Sequence, residues 1–158
     1  IKGWSLRALT EFKSNEFISE YVGEITLEKT TDRSQQYDFD LGYDAVREDG
    51  SKRPLNLCAY KKGNETRFIS HTCQPNAYFQ STLVSRVGLF VNRVAILAKR
   101  YIQRGEEITI DYFDGKDLFD KKLGDVTLMF PPSGCACGSP ICRFTKEKLD
   151  QYKKKYQS

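Results

Sequence analysis

Apolar and polar positions alternate or cluster over short distances along this chain. The stretches WSLRAL (4–9), FISEYVGEI (17–25), YDFDL (37–41), PLNLCAY (54–60), AYFQSTLV (77–84), GLFVNRVAILA (88–98) and EITIDYF (107–113) are rich in Val, Ile, Phe, Tyr and Thr. Short runs of this kind, bounded by Gly, Asn, Asp and Pro, read as β-strands. The pattern predicts a mostly β domain. Its connections (DRSQQ, GYDAVREDGSKR, KKGNET, SRVG) differ in length and turn chemistry, so there is no internal repeat and no regular sandwich spacing.

Helical signals are few. A short turn is predicted near Lys116 to Leu123, and a helix after Cys142, where Phe144, Leu149, Tyr152 and Tyr156 recur at near-helical spacing. Thr145 suits its N-cap, and lysines crowd the end where the helix dipole favours cations. The stretch 114–134, with its PPSG, reads as a linker carrying the apolar patch VTLMF.

A length of 158 residues fits one domain, which can bury about two thirds of the surface its unfolded chain exposes. Hydrophobic and charged contents of 39% and 29% suit a globular fold, and 13% aromatic residues argue against disorder. No apolar run approaches the ~20 residues that span a bilayer, and no signal peptide is visible, so no membrane partner is expected. Because the first residue is Ile1 and the opening already reads as structure, the chain is expected to be a segment of a longer protein. The net charge of +4 is mild. Lys153, Lys154 and Lys155 supply much of it, either as a solvated helix end or as a nucleic-acid or nucleosome contact.

Five cysteines change the picture, because Cys135, Cys137 and Cys142 fall within eight residues in CACGSPIC. Such clustering without an export signal points to zinc rather than disulfides. A tetrahedral structural site takes four ligands. Cys58, Cys73 and His71 are the candidates for the fourth. The only histidine lies in RFISHTCQPNA (67–77), with no hydrolase or metalloprotease pattern around it, and no glycine-rich phosphate loop is present.

The motifs KGWSLR (2–7), FISEYVGE (17–24), GNETRFISHTCQPN (63–76), GEEITIDY (105–112) and CACGSPIC (135–142) resemble, in order, those of SET domain protein lysine methyltransferases with a post-SET zinc motif, most closely the branch acting on histone H3 lysine 9. The resemblance implies a fold of several small sheets with a knot-like C-terminal crossing: a SET domain over 1–113, a linker over 114–134 and a post-SET zinc segment with its helix over 135–158, all one unit. It implies S-adenosylmethionine as methyl donor and a histone H3 tail as partner, in the nucleus on chromatin. The alternative is a silent SET fold serving as a chromatin scaffold or histone-binding module.

Carried over residue by residue, Lys2, Gly3 and Trp4 would cradle the donor. Arg67, Ser70, His71, Tyr37 and Tyr112 would complete its site, and Tyr112 and Tyr37 would be the catalytic pair. Cys73 would join Cys135, Cys137 and Cys142 on zinc, Asn76 would hold the crossing, and Cys58 would be a buried thiol. Ile110 stands where an aromatic residue often limits the number of methyl groups. This chain departs from the family at Ser70 (usually Asn), Ser5 (usually Gly) and Cys58 (commonly Asp).

Overall fold

The computed structural model describes residues 3–27, 37–86, 89–116 and 129–156. Within them the chain forms eight strands and one α-helix: β1 Phe17–Tyr21, β2 Glu24–Thr26, β3 Asp38–Val46, β4 Lys52–Cys58, β5 Ser70–His71, β6 Ala77–Arg86, β7 Leu89–Ala98, β8 Thr109–Ile110 and α1 Lys146–Tyr156. A 3-10 turn, Glu65–Phe68, leads into β5. The mostly β expectation holds. The strands form three small sheets, with orders β1-β7-β6, β2-β4-β3 and β5-β8.

The β6–β7 hairpin is the longest paired unit, from Ala77↔Ala98 to Arg86↔Leu89. Alternate residues of β7 (Val94, Ile96 and Ala98) are fully buried, as the period of two requires of a strand with one face on the core. Around them pack Ala8, Tyr21, Leu41, Ile69, Ile102 and Ile110.

Several predicted strands change shape. FISEYVGEI is two strands, broken where Gly23 passes β4: a Cβ there would lie 2.6 Å from the backbone of Cys58. WSLRAL forms no strand, because only Arg7 bridges, to Glu107. EITIDYF contributes only Thr109–Ile110, since the chain turns at Asp111. YDFDL extends instead to Val46, through residues predicted as a connection, with an irregularity between Asp40 and Asp44 where Gly42 takes a positive φ. The predicted turn near Lys116 to Leu123 lies almost wholly outside the described residues, as does most of the 114–134 linker. The helix after Cys142 forms, with Thr145 Oγ1 accepting the Lys148 N–H at 3.4 Å; the side chain of Tyr156 lies outside the described residues.

The third sheet, β5–β8, is the one parallel pair in the described residues, where Ser70 pairs with Thr109 and His71 with Ile110. Asn76, 2% exposed, clamps this crossing. Its Nδ2 donates to Glu106 Oε1 (2.9 Å) and to the Glu107 carbonyl (2.8 Å), and its Oδ1 accepts the Thr109 N–H (2.8 Å).

Glu106 also accepts from Arg100 (2.6 Å), whose hydrogen bond, with those from Gln103 and Asn76, holds its carboxyl down to about 2 from an ordinary 4.5. A depressed folded value adds stability that is complete above the unfolded value and lost as pH falls through the folded one. We therefore expect wild type to lose stability between about pH 5 and pH 2 and Glu106→Gln to lose less over that window, as read by urea unfolding at stepped pH.

Candidate active site and metal centre

Both candidate centres lie off the same end of the parallel pair, because β5 runs on into Cys73 and β8 runs on into Tyr112. Ile110 accepts the Thr72 N–H (2.9 Å), so in parallel geometry the N–H and C=O of His71 itself point to the open edge of this two-stranded sheet. The His71 side chain turns inward, packed against Phe113, Phe130 and Phe144 with ring centroids 5.4–5.6 Å away. This burial pushes its pKa down to about 4, so the ring is neutral at pH 7. Nδ1 accepts the Tyr112 N–H (3.1 Å), which places the proton on Nε2, 3.6 Å from Cys73 Sγ. The imidazole is thus a strut between Tyr112 and the cysteine cluster.

The Tyr112 hydroxyl donates to the Ile69 carbonyl at 2.5 Å. Desolvation and the neighbouring Tyr37 raise this phenol to about 12, so it stays protonated at neutral pH. With its proton committed to Ile69, its oxygen lone pairs remain free to accept a hydrogen bond or to face a developing positive charge. Tyr21, which the motif reading did not single out, lies beside it: its hydroxyl donates to the Tyr37 carbonyl (2.8 Å), and burial raises its pKa strongly. Only tertiary contact gives Tyr21 this place, since FISEY by itself reads as a strand.

A cleft of about 950 Å³ opens here, with Tyr21, Arg67, Ile69, Ile110 and Tyr112 among its lining. Arg67 stacks over Tyr37 (5.0 Å) and Phe68 (5.5 Å) and donates to the Tyr60 carbonyl (2.8 Å). Its Nε is buried without a hydrogen-bond partner among the described residues, as is Oδ1 of the fully buried Asn56 on the same cleft wall. Ile110 is buried, and Ser70 is half-buried opposite Thr109.

Gly3 leaves open space where a Cβ would stand, and Trp4 is 85% exposed; neither lines the cleft. The Arg7↔Glu107 bridge and the Ile108 N–H to Leu6 carbonyl bond (2.8 Å) nevertheless run their segment toward the β8 end that carries Tyr112. Lys2 lies outside the described residues.

The sulfurs of Cys73, Cys135, Cys137 and Cys142 all lie within 4.8 Å of one another. Zinc held at about 2.3 Å by four thiolates requires sulfurs about 3.8 Å apart. Cys73 and Cys142 stand at 3.9 Å, and Cys73 Sγ also accepts the Arg143 N–H at 3.3 Å. The four residues fit zinc. Of the candidate fourth ligands, Cys73 is the one the fold delivers. Cys58 lies in β4 facing Glu24 and Asp38, its thiol pushed up by burial and by Asp38, and His71 contributes from behind the sulfur. The cluster sits on an apolar unit of Phe113, Phe144 and Leu149, which joins the tail to the end of β8.

The family model for the SET domain matches residues 3–113. The chain belongs to the SET domain family. Among its relatives, this SET domain is 33% identical over 156 residues to the frog (Xenopus tropicalis) histone-lysine N-methyltransferase SUV39H2, covering 90% of the chain and 36% of the relative. It is 30% identical over 151 residues to Drosophila melanogaster Su(var)3-9 (89% and 22%), and 32% identical over 151 residues to human EHMT1 (94% and 10%), both also histone-lysine N-methyltransferases. The chain thus spans about a third or less of these relatives.

Chelation should release one zinc per chain and loosen residues 135–156 before the β1-β7-β6 sheet. Hydrogen exchange followed by mass spectrometry reads this: early loss of protection in α1 with β7 still protected is the expected result, and Cys73→Ser should lower zinc affinity at least tenfold.

Proposed function

We propose that this SET domain transfers methyl groups from S-adenosylmethionine to a lysine side chain of a histone tail, with lysine 9 of histone H3 as the target and chromatin in the nucleus as the place of action. The observation that carries the reading is the protonated Tyr112 hydroxyl, held on the Ile69 carbonyl in a cleft beside the open peptide edge of His71. The histone-lysine methyltransferase names of SUV39H2 and Su(var)3-9 support the activity and the substrate class. As a working organisation, residues 1–113 form the SET domain, 114–134 a linker and 135–158 the post-SET segment.

S-adenosylmethionine, when bound, supplies an electrophilic methyl group on a sulfonium. The residues present fit it. The open edge at His71 offers N–H and C=O to a heterocycle, the buried Nε of Arg67 suits a carboxylate, and the accessible backbone at Gly3 and Trp4 lies toward the same end. Ser70 presents a shorter group than the amide usual at its position. Zinc has a structural role, holding Cys73, and with it β5, to the tail.

The substrate lysine must be a free amine. At a pKa of about 10.4 only about one molecule in a thousand is neutral at pH 7.4, and a desolvated site raises that share. Tyr112 cannot take the proton as phenolate at neutral pH, because its own pKa is about 12. Its oxygen instead accepts from the amine and faces the positive charge shared during transfer, so the proton leaves to solvent before the attack. The Ile69 carbonyl fixes the phenol, and in-line geometry supplies much of the rate. Tyr37, steadied by Arg67, forms the second aromatic wall.

The aliphatic Ile110 leaves room for higher methylation states. Asp38, Asp40 and the unpaired Asn56 Oδ1 on the cleft wall favour a donor-rich, basic peptide, captured by strand addition. Exposed Lys154 and Lys155, with Lys153, lie at the helix end, suited to a nucleosome contact.

Mass spectrometry of an H3 tail peptide incubated with the domain and S-adenosylmethionine should show stepwise methyl additions mapping to lysine 9, and Tyr112→Phe should lower kcat at least a hundredfold with unchanged melting. No transfer by a folded, zinc-loaded domain would assign the silent scaffold that Ser70 favours. The pH profile gives a separate check: kcat/KM should rise with pH as the amine deprotonates and show no downturn up to pH 10, because Tyr112 keeps its proton there.

A further inference from the structure

The residue after the last cysteine of the cluster ties that cluster to the turn that carries Tyr112. The Arg143 backbone N–H donates to Cys73 Sγ (3.3 Å), while its guanidinium donates to Asp111 Oδ2 (2.5 Å) and to the Lys116 carbonyl (2.6 Å). Both partners of this ion pair are largely shielded, at 17% and 14% side-chain exposure, and the guanidinium lies 5.2 Å over the Phe144 ring. Asp111 is bonded locally as well: Oδ1 accepts the Phe113 N–H (3.1 Å) and Oδ2 the Gly115 N–H (2.8 Å). These bonds close the turn that follows β8, which passes through Asp114 and Gly115 at positive φ. Tyr112 is the second residue of that turn.

We propose that Arg143 is a positioning residue that couples the cysteine centre to Tyr112, so that order at the metal site sets where the catalytic hydroxyl stands; this rests on the methyltransferase reading above. The physical case is one of geometry. A planar guanidinium can hold a carboxylate and a carbonyl at once, whereas a lysine ammonium is a point charge without that fork. With Asp111 and Lys116 held together, the turn has one arrangement and Tyr112 projects at the Ile69 carbonyl. Without the guanidinium, Asp111 keeps its two backbone bonds and Phe113 its packing on Phe144, but the turn loses its polar tie to the tail, and the hydroxyl loses register with β5. The tail therefore holds one end of the catalytic turn by a side-chain ion pair as well as by packing.

The test uses the whole domain in three forms: wild type, Arg143→Ala and Arg143→Lys. Two readouts are made on each, alongside zinc stoichiometry and melting temperature. The first, independent of catalysis, is the NMR resonance of Tyr112 in protein carrying 13C-labelled tyrosine rings, assigned with Tyr112→Phe. In wild type, removing zinc should shift this resonance. In Arg143→Ala with one zinc still bound it should already lie near the zinc-free position, with Arg143→Lys in between. The second readout is kinetic: kcat should fall at least tenfold in Arg143→Ala with KM for the peptide changed less than threefold, and added guanidinium should restore part of it.

A Tyr112 resonance unmoved in zinc-loaded Arg143→Ala would overturn the proposal, and so would loss of zinc in both variants, which would make Arg143 part of the metal site only. If wild type transferred no methyl group, the functional reading would fall, while the resonance experiment would still decide the coupling.

Discussion

Two residues of parallel pairing, Ser70–His71 against Thr109–Ile110, are the contact on which the rest depends. A pair this short has few hydrogen bonds of its own, so its neighbours must hold it. Asn76 does so on one side with five bonds to the 106–109 segment, and His71 on the other by accepting the Tyr112 N–H. Because β5 leads to Cys73 and β8 leads to Tyr112, one crossing fixes the cysteine cluster and the Tyr112 hydroxyl relative to each other. Loss of a single clamp leaves buried polar groups unpaired, which costs more than the bond itself contributes.

This arrangement accounts for a histidine that does no proton transfer. A neutral ring, kept so by burial among three phenylalanines, accepts at Nδ1 and presents Nε2–H to a sulfur that thiolate character would make a better acceptor. The same burial logic explains Tyr112, whose raised pKa removes it as a base and keeps it as a fixed dipole.

The tail is integrated by packing as well as by cysteine. Phe144 is fully buried against Phe113, with ring centroids 4.5 Å apart, and Leu149 of α1 joins the same apolar unit. The cysteine cluster, aromatic packing and the Arg143–Asp111 pair therefore act on one short turn from three directions. Their closeness makes them energetically coupled, so removal of any two would not add simply.

The strand content, the helix after Cys142 with its Thr145 cap and the three-cysteine knuckle were legible because each rests on local pattern: period two, near-helical spacing, clustered thiols. The ordered motifs made the family legible too, and with it the candidate residues at 67–73 and 110–112. What stayed hidden was set by contacts between segments far apart in the chain. The break at Gly23 is caused by the backbone of Cys58, and the inward turn of the His71 ring by Phe130 and Phe144. Tyr21 gains its place from the Tyr37 carbonyl, and Arg143 from Asp111, 32 residues away. Sequence by itself determined which chemical groups are present and which neighbours share a strand. Tertiary structure alone decided which of them meet, because the bonds that aim these side chains come from partners whose separation along the chain leaves no periodic trace.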